Sequence, residues 1–145
     1  MVAITRVRPE DHAEWRELFN GYLTFYEEQL DETTIDRLFT RVLASEVHGA
    51  LARDDQGRAI GLVHWLTHAS TWSIADYCYL EDLYVDATAR RSGAGAALIE
   101  HVRAWAEENG AAKVYWLTAE SNATARSLYD RVAARTGFIH YEIAL

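Results

Sequence analysis

Residues 84–98 read Tyr84-Val85-Asp86-Ala87-Thr88-Ala89-Arg90-Arg91-Ser92-Gly93-Ala94-Gly95-Ala96-Ala97-Leu98, which predicts a strand end, a basic glycine-rich loop and the start of a helix. Glycines let backbone N–H groups close around an oxyanion, and a helix N-terminus adds partial positive charge. Arg90 and Arg91 add full charges, and hydrogen bonds to charged groups contribute about 1.5–3 kcal/mol each. The stretch therefore predicts an anion site able to hold a pyrophosphate, although a solvated turn can have the same composition.

Two well-known phosphate loops do not fit this stretch. A Walker A loop ends in Gly-Lys-Ser/Thr, whereas Gly95 is followed by Ala96 and Ala97. The dinucleotide fingerprint requires a third glycine where Leu98 stands. Any ligand held here is therefore bound by a different kind of loop.

The flanking sequence predicts the order β-α-α-β-β-β-α-β-α-β in one domain, residues 1–145. We predict strands at 2–8, 47–53, 59–68, 75–86, 114–118 and 138–145, and helices at 9–28, 33–43, 93–109 and 122–136. The passage from strand to helix to strand within 80–118 requires a parallel pair, whereas the hairpins require antiparallel neighbours. The sheet is therefore predicted to be mixed, within an α/β fold.

Composition excludes several classes of protein. A net charge of −8, with 22 acidic and 14 basic side chains, is unsuited to a duplex nucleic-acid binder. The single Cys78 cannot form an internal disulfide, and the six scattered histidines lack metal-ligand spacing, so we expect no metal. No apolar run approaches the roughly 18 residues of a membrane span, and we expect a cytoplasmic protein without membrane contact. The acidity is concentrated in residues 10–46, which either form solvated helix faces or attract a cationic substrate.

Three ordered motifs carry a resemblance to a known family. Arg90-x-x-Gly93-x-Gly95 resembles the Q/R-x-x-G-x-G/A loop of the GCN5-related N-acetyltransferase (GNAT) superfamily. The segment Tyr79-Leu80-Glu81-Asp82-Leu83-Tyr84-Val85 resembles the strand that precedes this loop, and Asn122-Ala123-Thr124-Ala125-Arg126-Ser127-Leu128-Tyr129 resembles the second family signature. The resemblance covers nearly the whole chain and implies the family's mixed sheet with helices on both faces.

The resemblance also implies a binding site for acetyl-CoA, the acetyl donor. Backbone amides of the loop would hold the pyrophosphate, and the strand end would hold the pantetheine arm in a gap beside the parallel strand 114–118. The implied cofactor-binding residues are Leu83, Tyr84, Val85, Arg90, Arg91, Ser92, Gly93, Ala94, Gly95, Ala96, Asn122 and Tyr129. Asn122 and Tyr129 are seven residues apart and share a helix face, so Asn122 would bind pantetheine and Tyr129 would protonate the thiolate. Tyr129 could instead be an ordinary core aromatic residue.

A general base is also required, because an amine with a pKa near 10.4 must lose a proton before it attacks. On a regular strand Glu81 shares a face with Tyr79, Leu83 and Val85, where desolvation would raise its pKa. The segment resembles that of diamine acetyltransferases, in which this Glu is the base, directly or through water. Asp82, on the opposite face, is the second candidate, and Glu81 could instead be a merely exposed carboxylate.

His64 and Trp65, on a neighbouring strand, either contact the acceptor or have their polar atoms satisfied in the core. The sequence departs from the family pattern after Leu128-Tyr129, where about one extra helical turn precedes Gly137-Phe138. One final strand, Phe138 to Leu145, is predicted to leave an apolar sheet edge, which favours a homodimer joined through or near it. These departures lie beside the acceptor groove.

The predicted function is direct transfer of acetyl from acetyl-CoA to a primary amine, which could be a polyamine, another small amine or a lysine side chain. One alternative is a non-catalytic acyl-CoA-binding or sensing module that keeps the loop without turnover. Another is a plain nucleotide-binding α/β domain.

Overall fold

A computed structural model describes residues 1–145. The strands are β1 (Ala3–Arg6), β2 (His48–Arg53), β3 (Ala59–His68), β4 (Tyr77–Val85) and β5 (Lys113–Tyr115), and the helices are α1 (His12–Phe25), α2 (Glu32–Leu43), α3 (Ala94–Glu108) and α4 (Ala123–Val132). Short 3-10 turns precede α1 and α3. No helix is both long and apolar enough to cross a membrane.

The five strands form one sheet in the order β1-β2-β3-β4-β5. The first four strands are joined by antiparallel pairs, whereas β4 and β5 run parallel and are linked through α3. The predicted mixed sheet is therefore confirmed. The parallel ladder covers only three residue pairs and ends at Tyr79 and Tyr115, so β4 and the chain after β5 separate beyond this point.

Two apolar cores lie on opposite faces of the sheet. The core beneath α3 contains Leu80, Leu98, Val102 and other residues that are almost completely buried. The core beneath α1 and α2 contains Trp15, Phe39 and Leu62. This arrangement confirms helices on both faces, and it buries β2 and most of β3 on both sides.

Local sequence signals explain where α2 and α3 begin. The Asp31 side chain accepts a hydrogen bond from the Thr34 N–H at 2.7 Å and caps α2. Gly93 precedes α3 with a φ of 84°, a left-handed conformation that is costly for residues with a Cβ atom.

A bulge in β4 changes the expected side-chain orientation at Glu81. His64 pairs with Asp82, but the next residue of β3, Trp65, pairs with Leu80, so Glu81 is an extra residue without a partner. As a result Leu80 and Leu83, which regular alternation would place on opposite faces, both pack into the core beneath α3. The prediction that Glu81 shares a face with Tyr79, Leu83 and Val85 and lies opposite Asp82 is therefore wrong for Leu83, Val85 and Asp82, because the bulge shifts the alternation by one residue. Tyr79 does lie beside Glu81, close enough for a side-chain hydrogen bond.

The predicted final strand is also absent. Helix α4 ends at Val132, short of the predicted boundary at 136, and residues 133–145 form no strand and are all exposed. After the N–H of Ala133, which donates to the Tyr129 carbonyl, these residues make no backbone–backbone hydrogen bond. A strand requires a neighbouring backbone to satisfy its N–H and C=O groups, and none lies beside this segment within the chain.

Candidate active site

A cavity of about 820 Å³ opens between the end of β4, the glycine-rich loop, the start of α3 and α4. It is lined by 19 residues, among them all twelve predicted cofactor-binding residues. These twelve are Leu83, Tyr84, Val85, Arg90, Arg91, Ser92, Gly93, Ala94, Gly95, Ala96, Asn122 and Tyr129. The structure thus brings together residues that are up to 46 positions apart in the sequence.

The loop presents hydrogen-bond donors at the start of α3. The first helical bond near this end joins the Ala97 N–H to the Gly93 carbonyl at 3.0 Å, so Gly95 and Ala96 have no acceptor within the helix. The Ala94 N–H has a local acceptor, the Ser92 hydroxyl, at 3.3 Å. Arg91 has a left-handed φ of 68°, an uncommon conformation for a residue other than glycine.

Three guanidinium groups on the cavity wall carry charge that no carboxylate neutralises. Arg90 and Arg91 in the loop and Arg131 near the end of α4 are exposed and form no ion pair. Free amides and unpaired guanidinium groups together suit the phosphate groups of coenzyme A. Arg131 was missed by the sequence analysis, although it lies four residues after Ser127, which also lines the cavity, and residues four apart share a helix face.

Gly95 permits a close approach between α3 and α4. A Cβ atom at this position would lie 3.2 Å from Cδ2 of Leu128, which is tighter than ordinary van der Waals contact. The absence of a side chain therefore keeps the floor of the cavity open where the two helices meet.

Tyr129 lines the cavity from α4 and is half-buried. Its ring packs edge-on against Trp116, with ring centroids 5.4 Å apart, and no protein group forms a hydrogen bond with its hydroxyl. Burial raises the pKa of Tyr129 to about 12, so the hydroxyl keeps its proton at neutral pH. The side chain is therefore available to donate a proton. Immediately before the same helix, the Asn122 amide donates to the Thr118 hydroxyl at 3.2 Å.

Glu81 does not line this cavity but lies on the bulge, next to Asp82. Desolvation by surrounding protein raises the pKa of the Glu81 carboxyl although the side chain is exposed, and the Asp82 charge raises it further. The Tyr79 hydroxyl and His64 oppose this shift. A carboxylate with a raised pKa is a better proton acceptor, as a general base requires.

His64 and Trp65 belong to the core. Both are almost completely buried, and His64 bonds to Trp15 and Asp82. Of the two alternatives for this histidine, the structure supports the core residue with satisfied nitrogens. The indole N–H of Trp65 has no hydrogen-bond partner, yet it is buried.

The C-terminal end of α1 and its cap contribute aromatic residues to the cavity that were not among the predicted cofactor-binding residues. Phe25 and Tyr26 line the cavity and are 49% and 37% exposed. Tyr22 lies close to Asp82, and burial together with that carboxylate raises the pKa of its phenol. Gly21 makes room for Tyr84, because a Cβ atom there would lie 2.6 Å from the Tyr84 hydroxyl oxygen. Aromatic residues recur along α1 at helical intervals, at positions 15, 19, 22 and 26. This spacing continues the buried face of the helix into the cavity, and it could have indicated that Tyr26 lies there.

Comparison with known proteins gives consistent matches over most of the chain. Residues 13–134 match the model of the acetyltransferase (GNAT) family. The chain is 35% identical to the D-amino-acid N-acetyltransferase of Saccharomyces cerevisiae, over 97% of this chain and 89% of that protein. It is 29% identical to a thialysine N-epsilon-acetyltransferase of Caenorhabditis elegans, over 68% of this chain and 61% of that protein.

A solved structure has the same fold. The crystal structure of a probable acetyltransferase superposes with a TM-score of 0.87 at 25% identity, covering 99% of this chain and 97% of the other. Together with the loop, the cavity and the retained Tyr129, these matches favour the enzyme over the nucleotide-binding and sensing alternatives. The chain belongs to the GNAT acetyltransferase family and is an N-acetyltransferase with acetyl-CoA as its acetyl donor.

Proposed function

We propose that this enzyme transfers the acetyl group directly to a primary amine, on a small molecule or a lysine side chain. The observation that carries the proposal is that the fold provides two candidate proton-transfer groups, Tyr129 in the cavity lining and Glu81 on the bulge of β4. Tyr129 has a free, protonated hydroxyl on the cavity side, and Glu81 has a raised pKa on the bulge of β4. Direct transfer needs one group to remove a proton and another to supply one.

The donor is held by the glycine-rich loop and α4. The amides of Gly95 and Ala96 and the unpaired guanidinium groups of Arg90, Arg91 and Arg131 bind the phosphates. Leu83, Tyr84 and Val85 offer backbone groups to the pantetheine arm, because β4 has no parallel partner beyond Tyr79. Asn122 reaches the same arm from α4.

The proton balance follows from these positions. The Glu81 carboxylate takes one proton from the acceptor ammonium, directly or through a water molecule, and the neutral nitrogen attacks the acetyl carbonyl carbon. The C–N bond forms, the C–S bond breaks, and Tyr129 gives its proton to the departing sulfur. As the amide forms, its nitrogen releases a second proton. This proton reaches Tyr129 through solvent and restores the hydroxyl.

The surroundings of Glu81 favour an acceptor that carries positive charge. Glu81 and Asp82 stand side by side. Burial raises the pKa values of Tyr22, Tyr26 and Tyr79, and these phenols lie close enough for the neighbouring carboxylates to raise them further. Carboxylates attract an ammonium group, and tyrosine ring faces stabilise cations. The two named relatives act on D-amino acids and thialysine, and both of these acceptors are amines.

A thiol-release assay with acetyl-CoA and a panel of acceptors tests the proposal. The panel contains a diamine, a polyamine, free lysine, D-amino acids and a lysine-containing peptide, with a neutral alcohol as control. We expect turnover with at least one amine and none with the alcohol. Calorimetry with acetyl-CoA, ATP and NAD checks the donor site separately, and preferential binding of ATP or NAD would contradict the donor assignment.

A further inference from the structure

One face of β4 carries tyrosine rings next to Glu81. Cys78 and Leu80 pack into the core beneath α3, so Tyr77 and Tyr79, which alternate with them, lie on the opposite face of the sheet. The Tyr79 hydroxyl is close enough to Glu81 for a side-chain hydrogen bond. Both rings are only half-buried. The proposed base is therefore continuous with an accessible aromatic surface.

Strand β5 extends this surface. Val114 packs against the core beneath α3, so its neighbours Lys113 and Tyr115 lie on the same face of the sheet as the tyrosines of β4. The centroid of the Tyr115 ring lies 4.9 Å from that of Tyr79 and 6.4 Å from that of Tyr77. We call these three residues, Tyr77, Tyr79 and Tyr115, the tyrosine strip. The strip joins the bulge of β4 to the start of β5.

A single ammonium group stands at the far end of the tyrosine strip. Lys113 is the only lysine of the chain, and its Nζ lies 4.1 Å from the Tyr77 ring centroid and 5.8 Å from that of Tyr115. Contact with the rings restrains the ammonium group but uses none of its N–H donors in a hydrogen bond. It forms no ion pair, although the chain has a net charge of −8. A restrained cation without a carboxylate partner is suited to bind a carboxylate on a ligand.

We propose that the acceptor carries a carboxylate as well as an amine, and that Lys113 binds this carboxylate while the amine faces Glu81 and Asp82. The inference rests on the proposed function, because it places the reacting amine at Glu81. Such a zwitterion matches the charge at both ends of the tyrosine strip. A diamine or polyamine would instead bring a second ammonium group to Lys113 and be repelled. Lys113 is thus a residue that determines which amines are accepted.

The spacing of the two charged ends limits the length of the acceptor. The register gives three regular steps from Tyr77 to Leu80 and part of a compressed step over the bulge, which is roughly 12 Å from Tyr77 to Glu81. A charge-assisted hydrogen bond at each end takes up about 2.8 Å. The remaining length of roughly 6 Å corresponds to about five or six bonds of an extended chain.

This length selects a particular class of amino acid. An ω-amino acid such as 6-aminohexanoate fits, as does free lysine that reacts through its side-chain amine. In an α-amino acid such as D-alanine the amine and the carboxylate share one carbon atom, so the molecule cannot reach both ends of the tyrosine strip. The expected acceptor is therefore an amino acid whose reacting amine is remote from its carboxylate.

Two acceptors that differ only in charge test the proposal. The amide of 6-aminohexanoate keeps the amine and the length but lacks the negative charge. The wild type should show a kcat/KM about 10-fold higher for the carboxylate, since the amide loses a charge-assisted hydrogen bond, and D-alanine should be at least about 10-fold poorer than 6-aminohexanoate. Lys113→Met should abolish the preference for the carboxylate, and Lys113→Arg should keep most of it. The amide should react equally well with the wild type and Lys113→Met, which checks that this variant is folded.

Charge reversal at the same position gives a second measurement. In Lys113→Glu, the ratio of kcat/KM for 1,6-diaminohexane to that for 6-aminohexanoate should rise at least about 100-fold over the wild-type ratio, because one acceptor gains an attraction and the other gains a repulsion. Arg103→Met is the matched control, since it also removes a positive charge but lies on α3, across the sheet. This variant should keep the wild-type preference for the carboxylate.

The possible results separate this inference from the proposed function. If the wild type acetylates 6-aminohexanoate and its amide equally well, or if Lys113→Met keeps the preference, Lys113 does not bind the acceptor and the inference is wrong, while amine acetylation stands. A better rate with D-alanine than with 6-aminohexanoate would overturn the length argument and the inference with it. No turnover of any amine, the diamine included, would contradict the proposed function itself and everything that rests on it.

Discussion

Nδ1 of His64 lies 2.9 Å from Oδ2 of Asp82, and the same imidazole accepts a hydrogen bond at Nε2 from the Trp15 indole N–H at 3.0 Å. An indole nitrogen can only donate, so Nε2 is the acceptor, and the Nδ1 proton is donated to the carboxylate. The network links the helix core to the bulge of β4, because Asp82 pairs with His64 and stands next to Glu81. Asp82 is thereby held in the position from which its charge raises the pKa of Glu81.

Removal of the imidazole should destabilise the protein. In His64→Leu the Trp15 N–H loses its acceptor and Asp82 loses its donor, and each unsatisfied buried group costs about 1–3 kcal/mol. We expect the free energy of unfolding, measured by urea denaturation, to fall by about 2–5 kcal/mol. Trp15→Phe removes only the donor to Nε2 and keeps an aromatic ring. An unfolding midpoint for His64→Leu equal to that of the wild type would contradict the network.

The glycine-rich loop gives a second prediction. Gly95→Val places branched carbon atoms where even a Cβ would lie 3.2 Å from Leu128, and it narrows the space beside the Gly95 and Ala96 amides. We expect acetyl-CoA affinity, measured by calorimetry, to fall at least about 100-fold, since several charge-assisted hydrogen bonds are lost.

A matched control for this variant is Ala104→Val, on the exposed face of the same helix, which should bind acetyl-CoA like the wild type. Circular dichroism checks that both variants keep their helices. Unchanged affinity in folded Gly95→Val would place the phosphate site elsewhere.

The sequence predicted most of the fold because its signals are local. The turn at Asp54-Asp55-Gln56-Gly57 separates two apolar runs, and β2 and β3 lie within one residue of the predicted bounds. Likewise, α3 begins one residue after Gly93, since a glycine with positive φ ends the preceding loop. Twelve of the nineteen cavity-lining residues followed from motif positions, and their roles remain predictions.

The features that the sequence did not reveal depend on pairing between distant segments. The alternation of Tyr79, Glu81 and Leu83 is compatible with a regular strand, and only the register against His64 and Trp65 shows that Glu81 is an extra residue. In the same way, the alternating pattern of residues 138–145 predicts a strand, but it does not show whether a second backbone lies beside this segment. Both differences arise because strand geometry is determined jointly by two backbones.

A third prediction concerns the proton donor. Tyr129→Phe removes one hydroxyl with little change in volume, and kcat should fall by roughly 10²–10⁴ while acetyl-CoA affinity changes little. Tyr26→Phe is a control on the same cavity, because Tyr26 also lines it but is not proposed to protonate the thiolate. If Tyr129→Phe retains kcat within a few-fold of the wild type, a water molecule protonates the leaving thiolate.

The last prediction concerns the two adjacent carboxyl groups and the pH dependence of kcat/KM. Glu81 acts as a base only when ionised, so kcat/KM of the wild type should fall as the pH is lowered through the Glu81 pKa, which lies above the ordinary value of 4.5. Asp82→Asn removes the negative charge that contributes to this shift. The pKa of Glu81 should then be lower, its carboxylate should persist to lower pH, and the acid limb of the profile should move towards lower pH.

Glu81→Gln removes the base itself and should behave differently. The loss of kcat/KM should be largest well below the amine pKa of about 10.4, where nearly every acceptor is protonated, and should diminish as the pH rises and neutral amine accumulates. A rate loss of equal size at all pH values would assign Glu81 a positioning role, because a group that only orients the acceptor is needed equally for amines in either protonation state. An acid limb of Asp82→Asn that moves towards higher pH would show that Asp82 does not act on Glu81 through its charge.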